Sequence, residues 1–148
     1  MLAKKMVLFT FVLMVGIFSC ADDSTSATDN ELMNRVWKLE SFETIGSQKT
    51  DVPEGEVHSI IFYPSNSANM VADCNGCHTV YELLSSGNGG RRIKIDRPMC
   101  TNAFCGEESM DMRFRDGVAN AEKYRIEGQK LMIYYNGGKE VLNFKAQN

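Results

Sequence analysis

Histidine is almost missing from this 148-residue chain, which has only His58 and His78, and that scarcity removes most catalytic templates at once. There is no histidine pair at metal-binding spacing, no Gly-x-Ser-x-Gly elbow and no glycine-rich phosphate loop ahead of a helix. Acidic residues are scattered, so sequence assigns no catalytic residue, no metal and no cofactor, and the expectation is a protein that is not an enzyme. Long apolar runs are also lacking. The longest, Met6 to Phe18, is about 13 residues and is broken by Thr10 and Gly16, where a membrane-spanning helix needs roughly 20. Clustered positive charge is missing as well. Arg91-Arg92 beside Asn88-Gly89-Gly90 reads as a turn rather than as part of a phosphate-neutralising stripe, so nucleic acid is not expected as a partner.

What the first thirty residues do contain is an export signal. Lys4 and Lys5 precede the apolar run, the n-region and h-region order of a secretory leader. The run ends in Ile17-Phe18-Ser19-Cys20, which resembles the bacterial lipobox, although Phe18 is bulkier than usual there. That resemblance implies a signal peptide over residues 1–19 and lipid on Cys20, hence a membrane as partner. Several acyl chains give stable anchoring, since each buried methylene adds about 0.8 kcal/mol. Residues 20–30 then read as the lipidated cysteine and a flexible tether, because Ala21 to Asn30 has no large apolar residue to bury. Asp22 and Asp23 resemble the surface-export signals of some Bacteroidetes lipoproteins, and equally read as a solvated spacer. The expected location is the bacterial cell envelope, at the outer membrane on its periplasmic face or the cell surface. Cleavage before Cys20 removes Lys4 and Lys5 and no acid, leaving 14 basic against 19 acidic side chains, a net charge of −5.

Residues 31–148 form one expected domain, mainly β: a compact antiparallel unit, either a small open barrel or a roll, with one short helix. Val36 to Phe42 alternates, Trp37 and Leu39 on one face and Lys38 and Glu40 on the other. Further strands are expected over Ser59 to Tyr63, Asn69 to Asp73, Thr79 to Leu84 and Arg92 to Asp96, separated by Gly, Asn or Cys-rich turns. Lys123 to Ile126, Leu131 to Tyr135 and Glu140 to Phe144, with turns at Glu127-Gly128-Gln129 and Asn136-Gly137-Gly138, predict a three-stranded meander. Glu107 to Ala119 alone reads as helical. Met110, Phe114 and Val118 share one face, and Glu107 and Glu108 lie where a helix dipole favours acid.

Four cysteines remain in the mature chain, Cys74, Cys77, Cys100 and Cys105, and an even count in an exported protein reads first as two disulfides. Three pairings are open at this point. Cys74-Asn75-Gly76-Cys77-His78 also matches the C-x-x-C-H pattern of c-type haem attachment, with Met99, Met110 or Met112 as candidate second ligands. Against haem stands Thr79-Val80-Tyr81, a β-preferring run where such motifs usually begin a helix. Zinc on these cysteines, with or without His78, would need free thiolates in an oxidising compartment. Thiol-disulfide exchange would want a thioredoxin-like α/β pattern that the chain lacks.

The order of elements from Trp37 to Phe144 resembles the META domain family, which includes the heat-shock protein HslJ and many envelope lipoproteins. The opening W-x-L is Trp37-Lys38-Leu39, the Cys-Asn element is Cys74-Asn75 followed by Tyr81, and the Thr-x-x-x-Cys element runs from Thr101 to Cys105. The closing pattern is Tyr124, Gly128, Leu131-Met132-Ile133 and Leu142-Asn143-Phe144. Cys77 and Cys100 depart from the family, and the resemblance implies that they form a second bond beside one from Cys74 to Cys105. It further implies a compact β domain linked to envelope stress or drug tolerance, acting through protein or small-ligand contacts, without established catalytic residues. A Trp in the first strand also occurs in lipocalin-like barrels, which would make the protein a carrier with an apolar cavity, although core packing is the simpler role for Trp37.

Overall fold

The computed structural model describes residues 27–87 and 90–147. The leader, Cys20 and all of the expected tether up to residue 26 lie outside these residues. In chain order the elements are α1 (Ala27–Leu32), β1 (Trp37–Thr44), β2 (Lys49–Asp51), β3 (His58–Phe62), β4 (Ser67–Ala72), β5 (Asn75–Gly87), β6 (Gly90–Ile95), β7 (Met99–Cys100), α2 (Asp111–Ala119), β8 (Ala121–Glu127), β9 (Lys130–Tyr135) and β10 (Glu140–Ala146).

Eight of these strands close into an antiparallel barrel, in the order β1-β10-β9-β8-β6-β5-β4-β3 and back to β1. Closure rests on a long ladder between β1 and β10, from Trp37↔Ala146 to Thr44↔Glu140, so the ring is a barrel and not a roll. Two seams are short. β1 meets β3 only at Trp37↔Ile60 and Lys38↔Ser59, because it then turns to pair β2; β6 meets β8 only at Arg91↔Tyr124 and Arg92↔Lys123. A bulge between Leu39 and Ser41 breaks the alternation of β1, so that Ser41 and Phe42 are both buried.

The lumen is filled by side chains. Trp37, Phe42, Phe62, Tyr124, Phe144, Leu39, Ile60, Ile93, Leu131 and Ile133 are all fully buried in one apolar cluster. A packed interior of this kind is a core and leaves a lipocalin-like carrier no chamber there. Each end is capped by a helix. At one end Leu32 of α1 is fully buried, and the Trp37 indole N–H donates to the Leu32 carbonyl at 2.9 Å. At the other, α2 buries Phe114, Gly117 and Val118. Gly117 costs helix propensity but permits close approach: a Cβ there would sit 3.1 Å from Leu142 Cδ2 of β10.

Besides the short β2 and β7, which the sequence does not mark, three features differ from the sequence reading. α1 begins inside the stretch expected to be tether, held by Leu32 and Trp37 rather than by composition of its own. The helix expected from Glu107 starts only at Asp111, because Gly106 takes a left-handed conformation (φ 109°) and the chain on either side of it is irregular. The expected Cys-rich turn shrinks to Asp73-Cys74, with Asp73 at φ 54°, so β5 runs unbroken from Asn75 through Cys77 and His78.

Candidate functional site

Chemistry-bearing side chains gather at the α2 end of the barrel. Cys74 and Cys105 form one disulfide and Cys77 and Cys100 the other, with Cα separations of 5.5 and 4.0 Å. The inner bond joins directly paired residues of β5 and β7 and its Cys77 is buried, whereas Cys74 is exposed. The two bonds are nested: both fasten the segment after β6 back onto the start of β5.

Asn75, buried between them, organises the loop. Its Oδ1 accepts from the Ala103 N–H at 2.8 Å and the Thr101 hydroxyl at 3.0 Å. Its Nδ2 reaches Ala103 O and Cys105 Sγ, both at 3.1 Å, and Asp111 Oδ2 at 3.3 Å. An amide is suited to this post because it alone offers two donors and a two-lone-pair acceptor on one planar group. The Cys-Asn and Thr-x-x-x-Cys elements of the sequence therefore meet in space, as parts of one staple. Phe104, at the tip of the stapled loop from Thr101 to Cys105, is 83% exposed.

The start of α2 is tied down by carboxylates. Glu56 Oε2 accepts from His58 Nε2 at 2.8 Å and from the Met110 N–H at 3.1 Å; the His58 ring, fully buried, packs against Phe114 with centroids 5.1 Å apart. Ser109 donates to Asp73 Oδ2 at 2.8 Å, and Asp111 pairs with Arg115 at 2.9 Å. His58 Nδ1 is buried without a partner.

With α2 fixed in this way, its outer side and the rim of β8, β9 and β10 enclose a cleft of about 840 Å³. Arg113 and Asp116 line it from the helix, Glu122 from β8, Tyr135 from β9 and Glu140 from β10. The Arg113 guanidinium lies over the Phe42 ring, 4.4 Å from its centroid. Burial raises the Tyr135 pKa above the usual phenol value and the Glu140 charge raises it further, while the Arg113 charge and a hydrogen bond from its guanidinium lower it. The rim itself is braced, since Glu122 Oε1 accepts from the Gly137 N–H at 2.6 Å and Glu140 Oε2 from Asn136 Nδ2 at 3.2 Å. No sequence motif points here, because the lining residues are spread over three strands and a helix; only Tyr135 and Glu140 fall in elements that the sequence marks as neighbours.

The rival readings of Cys74 to His78 fare differently in this geometry. Haem thioethers and zinc thiolates both require sulfurs that here are bound to each other, and His78 lies in mid-strand with Nδ1 3.0 Å from Asn69 Oδ1. A helix beginning at this motif is replaced by β5. Met112 is exposed and Met110 packs against the core, while Met99, also exposed, sits opposite His78 in the β5–β7 ladder next to the Cys77–Cys100 bond. Trp37 is wholly core, with its N–H satisfied.

Comparison with known proteins places the chain. The fold is similar to that of a Burkholderia xenovorans protein solved by NMR, at 13% identity and a TM-score of 0.63, over 80% of this chain and 86% of that one. It is also similar to the crystal structure of a DUF4847 family protein from Bacteroides vulgatus, at 14% identity and a TM-score of 0.57, over 82% of this chain and 99% of the other. At such identities the likeness concerns the fold alone. No curated protein matches the sequence. The META domain model, however, matches residues 30–148, spanning both disulfides, the Asn75 staple and the barrel, and the chain belongs to the META domain family.

Proposed function

We propose that this protein is an exported lipoprotein of the bacterial envelope, cut before Cys20 and anchored at the outer membrane by acyl chains on that cysteine. Its META domain works without catalysis, by binding a partner or small ligand in support of envelope stress or drug tolerance. The observation that carries the binding role is the filled lumen: with Trp37, Phe42, Phe62 and Tyr124 occupying the interior, contacts must be made outside, and the cleft beside α2 is a concavity there.

Anchoring through Cys20 would orient the barrel. From Cys20 to Ala27 the chain can reach about 25 Å at most, and it arrives at the α1 end. The α2 end, with cleft and disulfides, then faces away from the bilayer. Arg113, Tyr135 and the carboxylates around them supply hydrogen bonds and charge, and among the described residues of the cleft no nucleophile is held against a base, which favours binding over turnover.

The test is intact mass and fractionation of the chain expressed in a bacterial host. Anchoring predicts acyl chains on a polypeptide beginning at Cys20, recovery in the membrane fraction, and release to the soluble fraction by Cys20→Ser. A chain that is soluble and unmodified with Cys20 intact would sink the lipoprotein reading.

A further inference from the structure

The α2 cleft carries charge of both signs, and the two signs are differently placed. Arg113 forms no ion pair among the described residues, although three carboxylates line the same cleft. Its guanidinium lies over the Phe42 ring and hydrogen-bonds the Tyr135 hydroxyl, and because Arg113 is exposed the remaining N–H groups of its fork can meet an anion. Tyr135 stands beside it and is 7% exposed. With its proton retained, the hydroxyl is a second donor next to the fork. Two adjacent donors, one of them charged, are the chemistry that recognises a carboxylate.

The remaining wall has the opposite character. Glu122 and Glu140 each use one oxygen to brace the turn between β9 and β10, which leaves Glu122 Oε2 and Glu140 Oε1 to accept from a ligand. The bracing matters, because it presents both carboxylates from a fixed rim instead of from mobile side chains. Asp116, on the helix side, is paired with Arg97 at 3.7 Å. A simple anion would be repelled by this wall, and a simple cation would meet Arg113. A molecule with both charges satisfies each part.

We propose that the cleft binds a small zwitterion of the amino-acid or short-peptide class, its carboxylate on Arg113 and Tyr135 and its ammonium on Glu122 and Glu140. The volume of about 840 Å³ accommodates a ligand of several residues, within the range usual for small-molecule sites. The inference rests on the binding role proposed above, and gives it a ligand class.

Alanylalanine is the probe, titrated into the full mature chain carrying Cys20→Ser and followed by amide NMR shifts. Shifts are expected at Arg113, Asn136 and Gly137, saturating with peptide. The N-acetyl peptide, without the ammonium, and the peptide amide, without the carboxylate, should each bind at least about tenfold more weakly, the loss of roughly one charged contact. Arg113→Gln should weaken alanylalanine at least as much while leaving the peptide amide and the free peptide equally poor, and Glu140→Gln should reduce the preference for the free ammonium. Should Arg113→Gln disturb folding through Phe42, Arg113→Lys keeps the charge and loses the fork, and it too should weaken binding. Blocked peptides that bind as well as the free one, shifts confined to another face, or no shift up to the solubility of the peptide would each overturn the proposal. Membrane anchoring is read separately by fractionation, so a cleft that ignores zwitterions in an anchored protein removes the ligand class alone.

Discussion

The two ends of this barrel are closed by different physics. At the α1 end Leu32 is fully buried, the one polar side-chain atom of Trp37 is bonded to the Leu32 carbonyl, and the Asn34 N–H donates to the Phe62 carbonyl at 2.8 Å. At the α2 end the helix is held by two disulfides, the Asn75 amide and carboxylates from Glu56 and Asp73, and much of that hardware remains close to solvent. Apolar plugging is non-directional and fills space. Covalent and hydrogen-bonded fastening fixes orientation, which is what a cleft formed partly by a helix needs. Space filling and the fixing of orientation are thus handled at opposite ends.

The largest effect expected from breaking this division comes from removing both disulfides at once by Cys→Ala at 74, 77, 100 and 105. In the chain-entropy model the first closure stabilises by about 3 to 4 kcal/mol and the second, closing a smaller ring, by somewhat under 3, so the double loss approaches 6 kcal/mol. That rivals the whole stability of a small domain. Under milder reduction, hydrogen exchange should rise first from Thr101 to Ala119 while the β1–β10 ladder stays protected. Simultaneous loss of protection at both ends would show that the ends are not separately fastened.

Next in size is Trp37→Ala, which should cost about 3 to 5 kcal/mol, the usual range for deleting a buried aromatic. Denaturant midpoints would show it as a global loss, because Trp37 also sits in the short seam with β3. Asn75→Ala should cost less, about 1 to 3 kcal/mol, since the stranded Ala103 and Thr101 groups lie in an exposed loop that water can reach. Its signature is local: Phe104 and the start of α2 should become mobile by NMR relaxation with the barrel intact. A global collapse at Asn75→Ala, or a merely local one at Trp37→Ala, would reverse the assignment.

The plugged end and the strands are largely legible in the amino-acid sequence. Trp37-Lys38-Leu39-Glu40 declares a half-buried strand, and Gly128 with Asn136-Gly137-Gly138 marks the turns of the final meander, where β8, β9 and β10 pair in register. α1 is not legible, because its fixing residue, Trp37, lies outside it. β2 and β7 are three and two residues long and carry no periodicity. The false helix start at Glu107 has a physical cause: acids there resemble a first helical turn, while Gly106 and the Asn75 staple dictate otherwise. Disulfide pairing is legible only through family resemblance, and the cleft not at all, since Arg113, Glu122, Tyr135 and Glu140 meet only after the barrel closes.

The smallest effect concerns Tyr135, where the polar end borders the core. Burial first, and then the Glu140 charge, raise its pKa in the folded protein. Unfolded, the phenol titrates near 10, so above that pH the folded state holds more protons than the unfolded state and stability must fall as pH rises. Below pH 10 both states are protonated and the contribution is fully present. Stability measured by denaturant from pH 9 upward should therefore decline more steeply for the native chain than for Tyr135→Phe. Glu140→Gln should lie between the two, because it removes one of the two raising causes and leaves burial. Equal slopes for the native chain and Tyr135→Phe would mean that this phenol is as well solvated folded as unfolded.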